Sequence, residues 1–358
     1  MEKILNFLKS KYFLLFALAI LNLLVAFYFL KLSPWSSDSE TYLKAMQYLR
    51  GANLEQIPYN RLLTTPFMLY SSILASWFTG SFYGGILAVN LIFYFLIIYV
   101  FYKLVLEIYQ NQTTAVLSSI LLLSNYSMYN YGVTYNADLG GWFFFVLGSF
   151  FAVKYFNNHG RKRFFYLTIL SASTGVLFKE YGALGLISLV MLILFSDFPY
   201  KRKVNEILKA GLLFLIMPVL YYIYFYLKFN YSYFNWYLFN INAFAPSYNI
   251  ILLIKILGWI YLAGWPIFIF GLWQEKKYFE KTRATVLAAL LPASLAFLAW
   301  PALTQRIAFI IVPWLALISG FGLSKIKNNY IIGTILIAYA LINYSITTFL
   351  IKIINLPF

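Results

Sequence analysis

The sequence has no cysteine and a single histidine, His159, among 358 residues. The first absence removes disulfides, thiol nucleophiles and thiolate metal sites. The second leaves little room for histidine general-base chemistry or a histidine-ligated metal. Charge is scarce as well: 11% of residues are charged, with 11 acidic side chains against 27 basic ones. No Gly-rich loop leads into Lys-Ser/Thr, so no nucleotide-binding fold of that kind is implied. Nor does a repeat divide the chain into the matched halves of many transporters. What abounds is apolar: 62% of residues are hydrophobic and 22% are aromatic. Soluble domains carry about 25% charged residues, which places this chain outside their class.

Apolar runs fall at about 12–30, 62–79, 84–106, 113–129, 138–156, 164–178, 181–196, 210–228, 251–273, 284–300, 307–323 and 330–350. A helix needs roughly 20 such residues to cross about 30 Å of hydrocarbon. Backbone in lipid must pair internally, and no period-2 barrel pattern is present, so the fold class is all-α and polytopic. The first run is too long for a signal h-region, lacks a cleavage site after it, and is expected to be retained. A net charge of +16 in a soluble protein would raise nucleic-acid binding. Here the basic residues occupy short loops, which reads as topology and lipid headgroups, with no nucleic-acid partner.

The basic clusters are Lys3/Lys9/Lys11, Arg161–Arg163, Lys201–Lys203 with Lys209, Lys276/Lys277 with Lys281 and Arg283, and Lys325/Lys327. All fall on the cytoplasmic side if one run between residues 31 and 157 fails to cross. The best candidate is 62–79, because Thr64, Thr65, Pro66, Ser71, Ser72, Ser76 and Thr79 make it polar. That leaves about eleven spans, with the N-terminus cytoplasmic and the C-terminus outside. A single transmembrane domain over 1–358 is expected, with a first outer loop at about 31–83 and no separate soluble domain. The acids Asp38, Glu40, Glu55, Asp138 and Glu180 then share the outer face with Lys179, Arg61 and Arg306. Ionisable groups near membrane depth are costly to place, which makes these the functional candidates.

The first outer loop reads Ser33-Pro-Trp-Ser-Ser-Asp38-Ser-Glu40-Thr-Tyr42, and apolar residues then recur with helical period to Leu49. This predicts a short amphipathic helix stopped at Gly51, able to lie in the interface. Ser37-x-x-Glu40 fits a capping box, in which Glu40 returns a hydrogen bond to the helix start. Asp38 lies free of that box, either as an anion at the helix start or as a carboxylate taking a proton from an attacking hydroxyl. Asp138 opens a very apolar helix, as an N-cap or as a substrate contact. Phe178-Lys179-Glu180-Tyr181-Gly182 interrupts two short apolar runs and puts an ion pair at the hydrocarbon edge. Arg306 follows Trp300-Pro-Ala-Leu-Thr-Gln, as a snorkelling residue or, with Lys179, as a holder of lipid phosphate. The aromatic loop Asn230–Asn249 reads as a membrane belt or as a surface for sugar stacking.

The order of these pieces resembles the GT-C superfamily of membrane glycosyltransferases, especially the dolichyl-phosphate-mannose–protein mannosyltransferase and aminoarabinose-transferase type. The similar segments are Ser37-Asp38-Ser-Glu40-Thr-Tyr42, Pro58-Tyr-Asn-Arg61-Leu-Leu-Thr-Thr-Pro66, Asp138, Lys179-Glu180-x-Gly182, and Arg306 with Pro313. The resemblance implies an inverting transfer of sugar from a polyprenyl-phosphate donor to a lipid or glycan acceptor on the extracytoplasmic face of the cell membrane. Asp38 would be the catalytic base and Glu40 a second acid of its loop. Lys179, Arg306 and Arg61 would hold the donor phosphate, and Asp138, Glu180 and Tyr42 would contact substrate. Because the donor is already activated, neither nucleotide nor redox cofactor is expected, and no metal. Larger relatives carry a soluble C-terminal domain, whereas this sequence stops soon after its last apolar run. The rival readings are a transporter or lipid flippase, which predicts charges spread through the bilayer depth, and a membrane scaffold.

Overall fold

The structure is a computed structural model that describes residues 11–29, 33, 35, 36, 38–244, 250–300 and 304–354. Among the described residues it is helical throughout, with no strand. Helix α1 (Lys11–Leu24) runs into a π turn at Val25–Phe29. The first loop holds α2 (Ser39–Leu49) and α3 (Tyr59–Thr64), and α4 (Pro66–Thr79) follows a break at Thr65. Helices α5 (Phe82–Tyr109) and α6 (Gln112–Leu123) come next. They are followed by α7 (Asp138–Asn157), α8 (Lys162–Phe178) and α9 (Gly185–Phe195). The remainder is α10 (Tyr200–Phe229), α11 (Tyr233–Phe244), α12 (Ile250–Tyr261) and α13 (Gly264–Lys277), then α14 (Lys281–Leu295), α15 (Gln305–Ala308), α16 (Val312–Ser324) and α17 (Asn329–Ile354).

Local chemistry sets the boundaries. The Ser81 hydroxyl accepts from Gly84 N at 3.0 Å and starts α5, and Gln110 ends it in the left-handed region at φ 49°. Asn111 Oδ1 then accepts from Thr114 N at 2.9 Å and starts α6, so two residues suffice to turn one helix into the next. Helix α7 packs against α5, α8 and α9, and α16 packs against α6 and α13. Helix α10 instead exposes Leu208, Leu212, Leu215, Leu220, Ile223 and Leu227. An apolar stripe this long on an outer helix matches a lipid-facing surface.

Six helices among the described residues are long and apolar enough to cross a membrane, or seven when α12 and α13, bent by 82°, count as one. Length alone thus supports fewer crossings than the eleven expected from the sequence. The physical reason is interruption. The run at 113–129 holds a 12-residue helix that ends at Ser124, and the run at 181–196 begins with the 3-10 turn Glu180–Leu184. The run at 62–79 is split at Thr65–Pro66, leaving α4 at 14 residues, about 21 Å long and short of the hydrocarbon thickness.

A close approach between two glycines fixes the turn after α8. A Cβ on Gly182 would lie 2.5 Å from the backbone of Gly175, so only glycine lets the 3-10 turn fold back on α8. That fold-back holds Lys179 and Glu180 in place.

Candidate active site

Asp38 is the N-cap of α2, yet its side chain makes no capping bond. Its carboxylate turns instead to two arginines from distant segments. Oδ1 lies 2.7 Å from Arg61 Nη2 on α3, and Oδ2 lies 2.5 Å from Arg306 Nη1 on α15. Burial would raise the Asp38 pKa, but Arg61 and Arg306 outweigh it and hold the carboxyl below its ordinary range. The Arg61 Nε donates to Thr41 Oγ1 at 3.0 Å, and its guanidinium sits 4.7 Å over the Tyr42 ring. Tyr42, buried in the apolar stripe of α2, is therefore a platform for Arg61. Leu43, Ala45 and Met46 of the same stripe are buried and Leu49 is partly so, and α2 packs on α3 and α4.

Arg306 also faces a second acid, with Nη1 3.8 Å from Asp138 Oδ2. Asp138 is buried; Tyr181 donates its hydroxyl to Oδ1, while Oδ2 has no hydrogen-bond partner. Asn136 Oδ1 accepts from Asp138 N at 3.1 Å. Asn90 on α5 fixes that turn by donating Nδ2 to the carbonyls of Thr134 and Asn136, at 2.6 and 3.0 Å. Arg306 is itself flanked by Gln305, whose Oε1 accepts from Tyr131 at 3.0 Å. Lys179 Nζ stands 3.4 Å from Glu180 Oε2, and both side chains are nearly buried.

Of the residues singled out from sequence, Asp38, Arg61, Arg306 and Asp138 meet through ion pairs, with Tyr42 beneath Arg61. Lys179 and Glu180 pair with each other, and each lies within electrostatic reach of Arg61. Glu40 stands apart: it is exposed and pairs with Lys44 one turn on, at 2.7 Å. The capping box proposed for Glu40 depends on Ser37, outside the described residues; next to it, Ser39 Oγ accepts from Ser36 N at 2.7 Å. Several contributors went unselected in the sequence, Asn90 and Tyr181 among them. A lone asparagine inside the apolar stretch of α5 was a readable signal, since a polar side chain there needs partners. Among the described residues no three His, Asp or Glu side chains converge as a metal-ligand set.

Helix α5 also measures where these groups lie. Asn90, near its start, serves the Asp138 turn, while Tyr109 at its end donates to Glu275 at 2.7 Å. Nineteen residues of helix put the two about 28 Å apart. Arg283, in a basic cluster, joins Glu275, and Asn157, beside the basic 161–163 loop, bonds Glu107. The acid–arginine centre and these groups therefore occupy opposite ends of the bundle.

Fold and site together define a polytopic helical membrane protein with an acid–arginine centre at one end. Its resemblance to GT-C membrane glycosyltransferases holds in both sequence profile and fold. Residues 65–222 match the family model of dolichyl-phosphate-mannose-protein mannosyltransferase, a stretch that includes Asp138, Lys179 and Glu180 but not Asp38, Arg61 or Arg306. No curated protein matches the sequence. Among solved structures, ArnT from Cupriavidus metallidurans bound to undecaprenyl phosphate is 14% identical with a TM-score of 0.67, covering 92% of this chain and 62% of that one. ArnT in the apo state gives 15% and 0.64, over 91% and 61%. The oligosaccharyltransferase of Archaeoglobus fulgidus, tethered to an acceptor peptide with an NVT sequon, gives 11% and 0.59, over 96% and 55%. The chain thus spans about three-fifths of the length of ArnT.

Proposed function

We propose that this chain is a membrane glycosyltransferase that moves a sugar from a polyprenyl-phosphate donor to an acceptor hydroxyl, on the extracytoplasmic face and with inversion. The observation that carries the reading is Asp38 held between Arg61 and Arg306, with Asp138 behind Arg306. Four segments separated by up to 268 positions supply these groups, so the arrangement is a product of the whole fold. A pair of guanidinium groups suits a phosphate, because its fork geometry binds two oxygens at once. Lys179, within electrostatic reach of Asp38 and Arg61, adds a third positive charge, itself paired with Glu180.

The step is a single displacement. The acceptor oxygen attacks the anomeric carbon and gives its proton to Asp38. The bond from that carbon to the phosphate oxygen breaks, and polyprenyl phosphate leaves with the electron pair. Arg61 and Arg306 stabilise the charge that develops on it. Asp38 begins with both oxygens facing arginine, yet a carboxylate offers about four lone-pair positions. A donor phosphate draws the same guanidinium groups toward itself, and that strengthens Asp38 as a base when substrate is present. The undecaprenyl phosphate in the ArnT structure supports this donor class. No nucleotide or redox cofactor enters this mechanism.

The test is transfer of radiolabelled sugar from polyprenyl-phosphate donors to envelope extract by purified protein. Asp38→Asn, checked for folding by thermal melting, is expected to lose nearly all transfer. Full activity in that variant removes Asp38 from the reaction. Wild-type protein that transfers nothing from any donor returns the transporter reading. Orientation is read separately, by whether a membrane-impermeant lysine reagent reaches Lys44 or Lys203 in sealed cells.

A further inference from the structure

Helices α1 and α5 meet where Asn22 donates to Tyr94 Oη at 2.8 Å and where the Phe16 and Phe95 rings stand 4.9 Å apart. From there toward the end of α5 they leave a cavity of about 550 Å³ between them. Leu15 and Ala19 of α1 and Ile98 of α5 form its buried floor. Phe16 and Tyr99, each nearly half exposed, form its rims, and Lys103 stands at its end.

Its place along α5 is informative. Phe95 is halfway along this 28-residue helix, and Lys103 lies two turns further toward Tyr109. The groove therefore runs about 12 Å, close to the 15 Å or so of hydrocarbon in one leaflet, at the end opposite the acid–arginine centre. Ile92, Leu96 and Tyr99 make an exposed stripe on α5 that ends in Lys103, so the groove opens onto lipid.

An apolar floor favours a hydrocarbon chain over water. A helix is too wide: 550 Å³ spread over 12 Å gives about 45 Å² of cross-section, about half that of a helix 10–12 Å across. The Lys103 ammonium lies 5.6 Å over the Tyr99 ring and carries three donors. Glu107, one turn on, accepts from Asn157 at 3.1 Å. A cation at the mouth of an apolar groove suits a phosphate joined to an acyl chain, and a net-anionic headgroup above a zwitterionic one.

We propose that the groove between α1 and α5 binds an anionic phospholipid, with one acyl tail along Leu15, Ala19 and Ile98 and the phosphate at Lys103. The site is separate from the Asp38 centre and stands whether or not the chain is a transferase.

Purified full-length protein in detergent is titrated with dioleoyl phosphatidylglycerol or dioleoyl phosphatidylcholine, and bound lipid is counted by native mass spectrometry. The first phosphatidylglycerol is expected to bind about fivefold tighter than phosphatidylcholine, the preference one lysine gives near a headgroup. Lys103→Gln should abolish that preference and leave phosphatidylcholine within about twofold of wild type. Lys103→Arg and, as a control elsewhere, Lys209→Gln should keep it. Equal binding of the two lipids to wild type overturns the proposal, as does a preference that survives Lys103→Gln. A photoactivatable phosphatidylglycerol tests the place on wild-type protein, without any variant. Its tail should label Phe16, Phe95 or Tyr99, and label confined to the exposed stripe of α10 overturns the site. Undecaprenyl phosphate that outcompetes phosphatidylglycerol at equal concentration assigns the groove to a polyprenyl lipid and overturns the phospholipid.

Discussion

Two carboxylate–arginine clusters stand at the two ends of this bundle, and they differ in how completely they are satisfied. At one end Arg283 donates to Glu275 at 2.9 Å, lies 3.4 Å from Glu280 and caps the Tyr278 carbonyl. Its guanidinium also faces the Phe321 ring at 4.7 Å, and Tyr109 completes Glu275 at 2.7 Å. Apart from Tyr109 and Phe321 the partners are local, so this cluster works as a clip on the turn between α13 and α14. At the other end Asp38, Arg61, Arg306 and Asp138 come from four distant segments. There Asp138 Oδ2, both Glu180 oxygens and Thr304 Oγ1 lack hydrogen bonds. A filled network stabilises; an unfilled one of equal burial is held ready for something else.

If that contrast is right, the two clusters respond oppositely to mutation. The largest effect is expected for Asp38→Asn. Sugar transfer should fall by about 10²–10⁴, the range ascribed to a positioned general base, while the protein stays folded with a melting temperature lowered by loss of the charge facing Arg61 and Arg306. Next comes Arg306→Lys, which keeps the charge but loses the guanidinium whose Nη1 lies between Asp38 and Asp138. The kcat/KM for transfer should fall by about 10- to 100-fold, with much of the loss in donor KM. Glu275→Gln at the other end should cost stability without activity. It takes from Arg283 its closest carboxylate, leaving Glu280 and the Tyr278 carbonyl, so stability should drop by about 2 kcal/mol while activity per folded molecule stays near wild type. A Glu275 variant that stays stable but is inactive would erase the distinction between the ends.

Much of this was legible in the sequence, for reasons that differ by residue. Helical class followed from apolar length and the demands of lipid on the backbone. Asp38, Arg61, Asp138 and Arg306 stood out because charge is scarce here, so each charged side chain near an apolar run needed a reason. The pairing among them was not legible, since Arg306 meets Asp38 across 268 positions of chain. Glu40, two residues from Asp38, read as its companion. A helix turns about 100° per residue, and that rotation sends Glu40 outward to Lys44. Span count was the weakest inference, because hydropathy sums over breaks such as Thr65–Pro66 and the 82° bend between α12 and α13 that a helix cannot ignore.

The smallest expected effect concerns pH. Arg61 and Arg306 hold the Asp38 carboxyl below its ordinary range. A carboxyl depressed in the folded state adds stability that is fully present above its unfolded pKa, about 3.9. That contribution disappears as pH falls through the lower folded value. Between pH 5 and 8 Asp38 is therefore ionised throughout and should impose no acid limb on kcat/KM in wild-type protein. Arg61→Gln removes one of the three charges that depress it, leaving Arg306 and Lys179, while burial still pushes the other way, so the limb should move toward neutral pH. A kcat/KM profile for Arg61→Gln that stays as flat as wild type would mean that Arg306 and Lys179 suffice to keep Asp38 ionised.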